Sequence, residues 1–137
     1  MKHIQVACAI IENGGKVLST QRSESMSLPL KWEFPGGKIN DGENPTECLK
    51  RELHEELGID AMVGQPLSPV NHNYPTFSVT LYPFICTIIC GEITLHEHVA
   101  LAWLAPDELH MLDWAEADLP VLAIYQETLK THLGGSS

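Results

Sequence analysis

Glu52, Glu55 and Glu56 stand at i, i+3 and i+4 within residues 46–57, a segment whose composition predicts a helix. At roughly 100° per residue, Glu55 and Glu56 lie about 60° and 40° to either side of Glu52, so all three project from one face. Leu49, Leu53 and Leu57 form the neighbouring stripe, predicted to bury against a sheet, while Lys50 and His54 fall on the side predicted to face water. Like charges at this spacing cost a helix a few tenths of a kcal/mol per pair, roughly. The one cation on that side is Arg51, four residues before Glu55. A bound divalent metal would relieve the repulsion, and hard oxygen donors suit Mg²⁺, with Mn²⁺ as a substitute. The three glutamates alone are also compatible with a solvated acidic face.

Pro35-Gly36-Gly37-Lys38 precedes this helix. Paired glycines after a strand point to a plain turn or to close approach by a ligand, where a free carbonyl or amide could meet a metal or a phosphate. No Gly-Lys-Ser/Thr follows at the spacing of a phosphate-binding Walker loop.

The formal net charge of −10 argues against a nucleic acid polymer as partner, which would demand clustered Lys and Arg. A small phosphorylated ligand remains compatible, because a cation held by carboxylates reverses the local sign of charge. No apolar run reaches the ~20 residues of a membrane span, and the N-terminus lacks a secretory cleavage pattern, so no membrane partner and a cytoplasmic location are expected. Cys8, Cys48, Cys86 and Cys90 form no CxxC pair and read as buried free thiols. His96 and His98 alternate on an expected strand, where a surface position is the ordinary reading and a metal site is not assigned.

Several elements must position these residues. At 137 residues the chain reads as one domain, 1–137, with 134–137 as a frayed, disordered tail. Strands are expected over 4–11, 16–21, 61–70, 78–89 and 99–103, with a hairpin turn at Glu12-Asn13-Gly14-Gly15 and a short extended piece at 32–34. Residues 23–30 and 35–38 read as loops. Helices are expected over 46–57, started by Pro45 and stopped by Gly58, and over 117–132, with one helical turn at 106–110. Mixed strands with a central and a terminal helix predict an α/β arrangement, a mixed sheet covered by helices.

Gly37, five residues, Glu43, seven residues, then Arg51-Glu52-Leu53-His54-Glu55-Glu56-Leu57-Gly58-Ile59 matches the Nudix signature at every specified position. The chain therefore resembles the Nudix hydrolases. Gln21-Arg22, the run Trp32-Glu33-Phe34-Pro35-Gly36-Gly37-Lys38, the stretch from Glu97 to Leu104 and the ending from Ala117 to Leu122 look like the MutT branch, similar to bacterial CTP pyrophosphohydrolases and 8-oxo-dGTP diphosphatases. The resemblance implies the Nudix α/β/α sandwich with a central mixed sheet. It implies Glu52, Glu55, Glu56 and the Gly37 carbonyl as metal ligands, Arg51 orienting the glutamates, and Glu43 orienting them or contacting metal from the outer shell. Glu97 is the candidate for a further acid from a distant loop, as base or ligand.

The same resemblance implies attack of water on a nucleoside triphosphate, oxidised or modified such as 8-oxo-dGTP, or (d)CTP, giving a nucleoside monophosphate and pyrophosphate. A carboxylate among Glu55, Glu56 and Glu97 would accept the proton. Arg22 and Lys38 are candidates for phosphate contact, or else surface charges. Phe34, Tyr74 and Trp114 could stack on a base or pack in the core. Asp118 lies where the MutT branch reads a base edge, and it also suits a helix cap. Rival readings are hydrolysis of another diphosphate, such as ADP-ribose or a dinucleoside polyphosphate, and a non-catalytic nucleotide-binding domain. The partner expected is a small nucleotide, with the protein a monomer or homodimer.

Overall fold

The computed structural model describes residues 2–135, with side chains through residue 131. Strand β1 (Lys2–Asn13) turns through Gly14-Gly15 into β2 (Lys16–Gln21). Short strands β3 (Trp32–Glu33) and β4 (Gly36–Lys38) follow, then helix α1 (Pro45–Leu57). After α1 come β5 (Asp60–Pro66), β6 (Val70–Asn73), β7 (Phe77–Cys90) and β8 (Ala100–Leu104). A 3₁₀ turn (Pro106–Met111) leads to helix α2 (Asp118–Gly135). The eight strands join in one sheet with the path β3-β2-β1-β7-β5, while β4 adds to β1, β6 to β7 and β8 to β2. β1 and β7 run parallel and the other pairs antiparallel, so the sheet is mixed.

β1 explains the layers. Side chains alternate across a strand. Ala7, Ala9 and Ile11 pack with Leu49, Leu53 and Leu57 of α1, whereas Cys8 and Ile10 pack with Val121, Leu122 and Tyr125 of α2. A strand buried on both faces needs a continuous apolar run, and residues 7–11 supply it. The result is the expected α/β/α sandwich.

Two expectations about strands are corrected. The single strand expected over 61–70 is two, because Pro66 and Pro69 offer no N–H to a ladder. Both pieces still follow β7, and Leu67 N–H donates to the Pro83 carbonyl between them. Gly36–Lys38, expected as loop, is strand β4, with Gly37 opposite Ala7 of β1. At the C-terminus α2 continues through Gly135, so residues 134 and 135 are helical rather than frayed, and 136–137 lie outside the described residues. Among the described residues no helix is long and apolar enough to cross a membrane.

Candidate functional site

α1 is delimited by local chemistry. The Asn44 side chain accepts the Glu47 N–H at 2.8 Å, Pro45 occupies the first turn, and Gly58 closes the helix at φ 70°, a left-handed conformation that glycine adopts without steric cost. Leu49, Leu53 and Leu57 are buried while Lys50 and His54 are exposed, as the spacing predicts. This rotation leaves Glu52 and Glu56 half-buried beside β4 and Glu55 exposed. Gly37 is where α1 and β4 come closest: a Cβ there would fall 2.5 Å from Oε2 of Glu52.

Arg51 organises the acids. Its Nε and Nη2 donate to the two carboxylate oxygens of Glu43, at 2.7 and 2.9 Å. Its Nη1 donates to Glu52 at 2.9 Å and to Glu55 at 3.3 Å. The guanidinium, helped by the Asn40 N–H, lowers the Glu43 carboxyl to about 2 and is itself held well above its ordinary value by Glu43. Glu56 has no such partner. Burial pushes it up to about 8, and the charge of Glu52, then those of Glu97 and Glu33, add to the push. The Cys48 thiol donates to the carbonyls of Gly37 and Lys38, at 3.5 and 3.4 Å.

A cleft of about 380 Å³ opens beside this helix on the α2 face of the sheet, a size that suits a small organic ligand. Gly37 and Glu56 line it, together with Lys38. Apolar walls come from Val6, Cys8, Val79 and Leu81, and aromatic ones from Phe34, Tyr74 and Phe77. Tyr74 and Phe77 stack with ring centroids 4.8 Å apart. Asp118, the first residue of α2, lines the cleft too, and its Oδ2 accepts the Phe34 N–H at 2.9 Å. Burial raises its carboxyl to about 8, with the Glu33 charge adding and the Phe34 N–H opposing. At neutral pH Asp118 is therefore mostly protonated and can donate as well as accept a hydrogen bond.

The sequence pattern of the NUDIX domain matches residues 1–124. The chain belongs to the Nudix family. A CTP pyrophosphohydrolase of Escherichia coli is 38% identical over 125 residues, covering 91% of this chain and 93% of that protein. An 8-oxo-dGTP diphosphatase of Haemophilus influenzae is 38% identical over 113 residues, 82% of this chain and 81% of that one. The crystal structure of a MutT protein from Methanosarcina mazei has a TM-score of 0.85 at 27% identity and covers 94% of this chain and 96% of its own.

Within this Nudix hydrolase the expected residues separate into groups. Glu43, Arg51, Glu52 and Glu55 form one ion-pair network, Gly37 and Glu56 border both that network and the cleft, and Glu97 is exposed on the loop before β8. Phe34, Lys38, Tyr74 and Asp118 line the cleft. So does Arg22, but its Nε and Nη2 are committed to Ser27 and its Nη1 to Glu33, which leaves two of its five N–H groups for any ligand. Trp114 is not in the lining. It is buried behind Phe34, ring centroids 4.6 Å apart, with its indole N–H on the Leu109 carbonyl. The Asp118 carboxylate turns to Phe34 instead of capping its own helix. Cys90 is exposed, against the expectation of a buried thiol, because it ends β7 beside Asp60. The expectation that His98 lies on the surface is also wrong: it is 7% exposed and bonds Glu33. Sequence reasoning missed Glu33 and His98, whose partnership spans 65 positions, and Phe77, which sits at the start of a strand otherwise read for its core.

Proposed function

We propose that this Nudix hydrolase is a Mg²⁺-dependent nucleoside triphosphate pyrophosphohydrolase of the MutT kind, releasing a nucleoside monophosphate and pyrophosphate from (d)CTP or from an oxidised or modified (d)NTP such as 8-oxo-dGTP. The observation that carries this reading is the sharing of Gly37 and Glu56 between the carboxylate network and a cleft sized for a base and sugar. The names of the relatives in Escherichia coli and Haemophilus influenzae support the substrate class.

The donor set suits Mg²⁺ or Mn²⁺: Glu52, Glu55, Glu56, the Gly37 carbonyl and Glu97 are all hard oxygen donors. The raised Glu56 carboxyl fits the same conclusion, since burial and then the charge of Glu52 disfavour its ionised form, which a cation would stabilise. As they stand, no three such side chains among the described residues converge on one point, because Arg51 holds Glu52 and Glu55. When bound, the metal would polarise phosphoryl oxygens and lower the pKa of the attacking water.

The chain's own residues do the rest. Glu43 anchors Arg51, and Arg51 fixes the directions of Glu52 and Glu55. One of Glu55, Glu56 and Glu97 accepts the proton of the water. Lys38, exposed at the cleft, and the uncommitted N–H groups of Arg22 meet phosphate oxygens. Phe34, Tyr74 and Phe77 flank the base, and Asp118 reads its edge as a protonated acid.

The test is pyrophosphate release from dCTP, dGTP and 8-oxo-dGTP with Mg²⁺, compared between wild type and Glu55→Gln. Glu55 is exposed, so its replacement leaves the fold intact. A loss of about 10²-fold or more is expected for a group in direct contact with the chemistry. Equal release by both proteins would rule the reading out.

A further inference from the structure

The loop between β7 and β8, residues 91–99, carries Glu97 and is tied down unevenly. At its start the Thr94 N–H donates to the Leu57 carbonyl at 2.9 Å, and Ile93 and Leu95 pack on the α1 side of the core. At its end the Val99 N–H donates to the Gln21 carbonyl at 3.0 Å. Among the described residues, 95–98 make no backbone hydrogen bond to another element. Beyond the packing of Leu95, the polar tie of this middle stretch is the ring of His98. Its side chain is 2% exposed, and Nε2 lies 2.8 Å from Oε2 of Glu33 on β3.

Glu33 accepts on both oxygens, from His98 and from Arg22, whose Nη1 lies 2.8 Å from Oε1. An ionised carboxylate only accepts, so Nε2 carries the proton of this bond. Nδ1 is buried with no partner, and leaving a buried ring nitrogen unpaired costs free energy that an apolar residue of similar size would avoid. The position therefore keeps a polar ring for its one bond to Glu33, not for packing. His98 and Glu33 line the same cleft as Glu56, and Glu97 is the residue before His98 on the loop.

We propose that His98 is a positioning residue: by donating to Glu33 it pins the middle of the 91–99 loop to β3 and so holds Glu97, the preceding residue, beside the cleft that Glu56 lines. This rests on the reading of that helix as the metal-holding face, and it adds that the distant acid is placed through a buried His–Glu–Arg chain. His98 itself lines the cleft, but the Nε2 of its ring is committed to Glu33.

Three variants test it: His98→Leu, which keeps the volume and loses the bond; His98→Gln, whose amide nitrogen reaches as far as Nε2; and Glu97→Gln. In the metal-free protein, His98→Leu should speed amide hydrogen exchange at 95–99 by about tenfold or more, with the α1 amides unchanged. Titrated with Mn²⁺ alone, it should bind about tenfold more weakly, the usual effect of losing an outer-shell support. With nucleotide, kcat should fall while KM stays within about twofold, as for lost transition-state contact. His98→Gln should restore all three. The double variant His98→Leu with Glu97→Gln should be no worse than Glu97→Gln alone. Unchanged exchange and Mn²⁺ affinity in His98→Leu, additive losses in the double variant, or a Glu97→Gln protein that binds Mn²⁺ and turns over like wild type would each overturn the proposal. Should His98→Leu fail to fold, His98→Asn, whose amide stops short of Glu33, carries the same comparison. Failure of the underlying reading shows separately, as wild-type pyrophosphate release by Glu55→Gln, and the exchange measurement does not depend on it.

Discussion

A carboxyl at the floor of the cleft carries a pH signature of its own. Asp118 titrates near 8 in the folded protein because burial, and then the Glu33 charge, disfavour its ionised form. In the unfolded chain it returns to about 3.9. The folded state thus binds the proton more tightly, and its stabilising contribution is complete below about pH 4 and fades as pH rises toward 8. Asp118→Asn removes that loss while keeping an acceptor for the Phe34 N–H. Thermal melts should show the variant gaining on wild type by roughly 5 °C or more at pH 8, with the gap closing by pH 4. The opposite trend would mean that Asp118 is ionised in place. The part in base recognition proposed for it would show as loss of discrimination among nucleotides, not as loss of stability. The glutamates of α1 were legible in the sequence because their alignment depends only on helical periodicity, and Arg51 because it lies within one turn of them. Glu33 and His98 were not, since each acquires meaning only from a partner far along the chain. Trp114 is core and Phe77 lines the cleft for the same reason, because which aromatic faces a cleft is decided by the packing of α2 and β7 and not by the residue type.

Between elements, the decisive approach is that of β4 to α1. Gly37 faces Ala7 across the ladder and lies under the Glu52 side chain, which a Cβ there would have to displace. Gly37→Ala would place a methyl against the Glu52 carboxyl, whose flexible end would swing away from Arg51. Losing that partly exposed ion pair costs roughly 1 kcal/mol or less. The variant should therefore fold with a lower urea midpoint and lose pyrophosphatase activity about tenfold or more, out of proportion to its lost stability. A Gly37→Ala protein as active as wild type would show that the Glu52 position is not needed. β4 itself escaped the sequence reading because Gly-Gly-Lys has no apolar alternation to mark a strand, and its pairing is imposed by the neighbouring edge of β1. The break between β5 and β6 is the reverse case. Its prolines were visible, but the apolar residues around them suggested one continuous strand.

At the scale of the whole molecule, the net charge of −10 becomes a prediction about metal and stability. Glu43 and Arg51 neutralise one another, which leaves Glu52 and Glu55 sharing the same guanidinium and Glu56 with no cation of its own beside the charges of Glu52 and Glu97. A divalent ion that binds the folded protein and not the unfolded chain stabilises it by RT ln(1 + [L]/Kd), about 2.7 kcal/mol at one hundred times Kd. For a domain of this size that corresponds to a rise in Tm of roughly 5–10 °C. Mg²⁺ and Mn²⁺ should both produce such a rise in scanning calorimetry, and chelation should reverse it. Monovalent salt at equal ionic strength screens the surface charges but has no site to occupy, so its effect should be much smaller. Above about pH 8, where Glu56 is ionised, Glu52→Gln combined with Glu56→Gln should raise the Tm of the metal-free protein, because the repulsion is gone, and should at the same time abolish the response to Mg²⁺. Those opposite movements distinguish a site whose acids are kept crowded for a cation from a surface that is merely acidic, for which the variant and wild type would respond to divalent and monovalent salt alike.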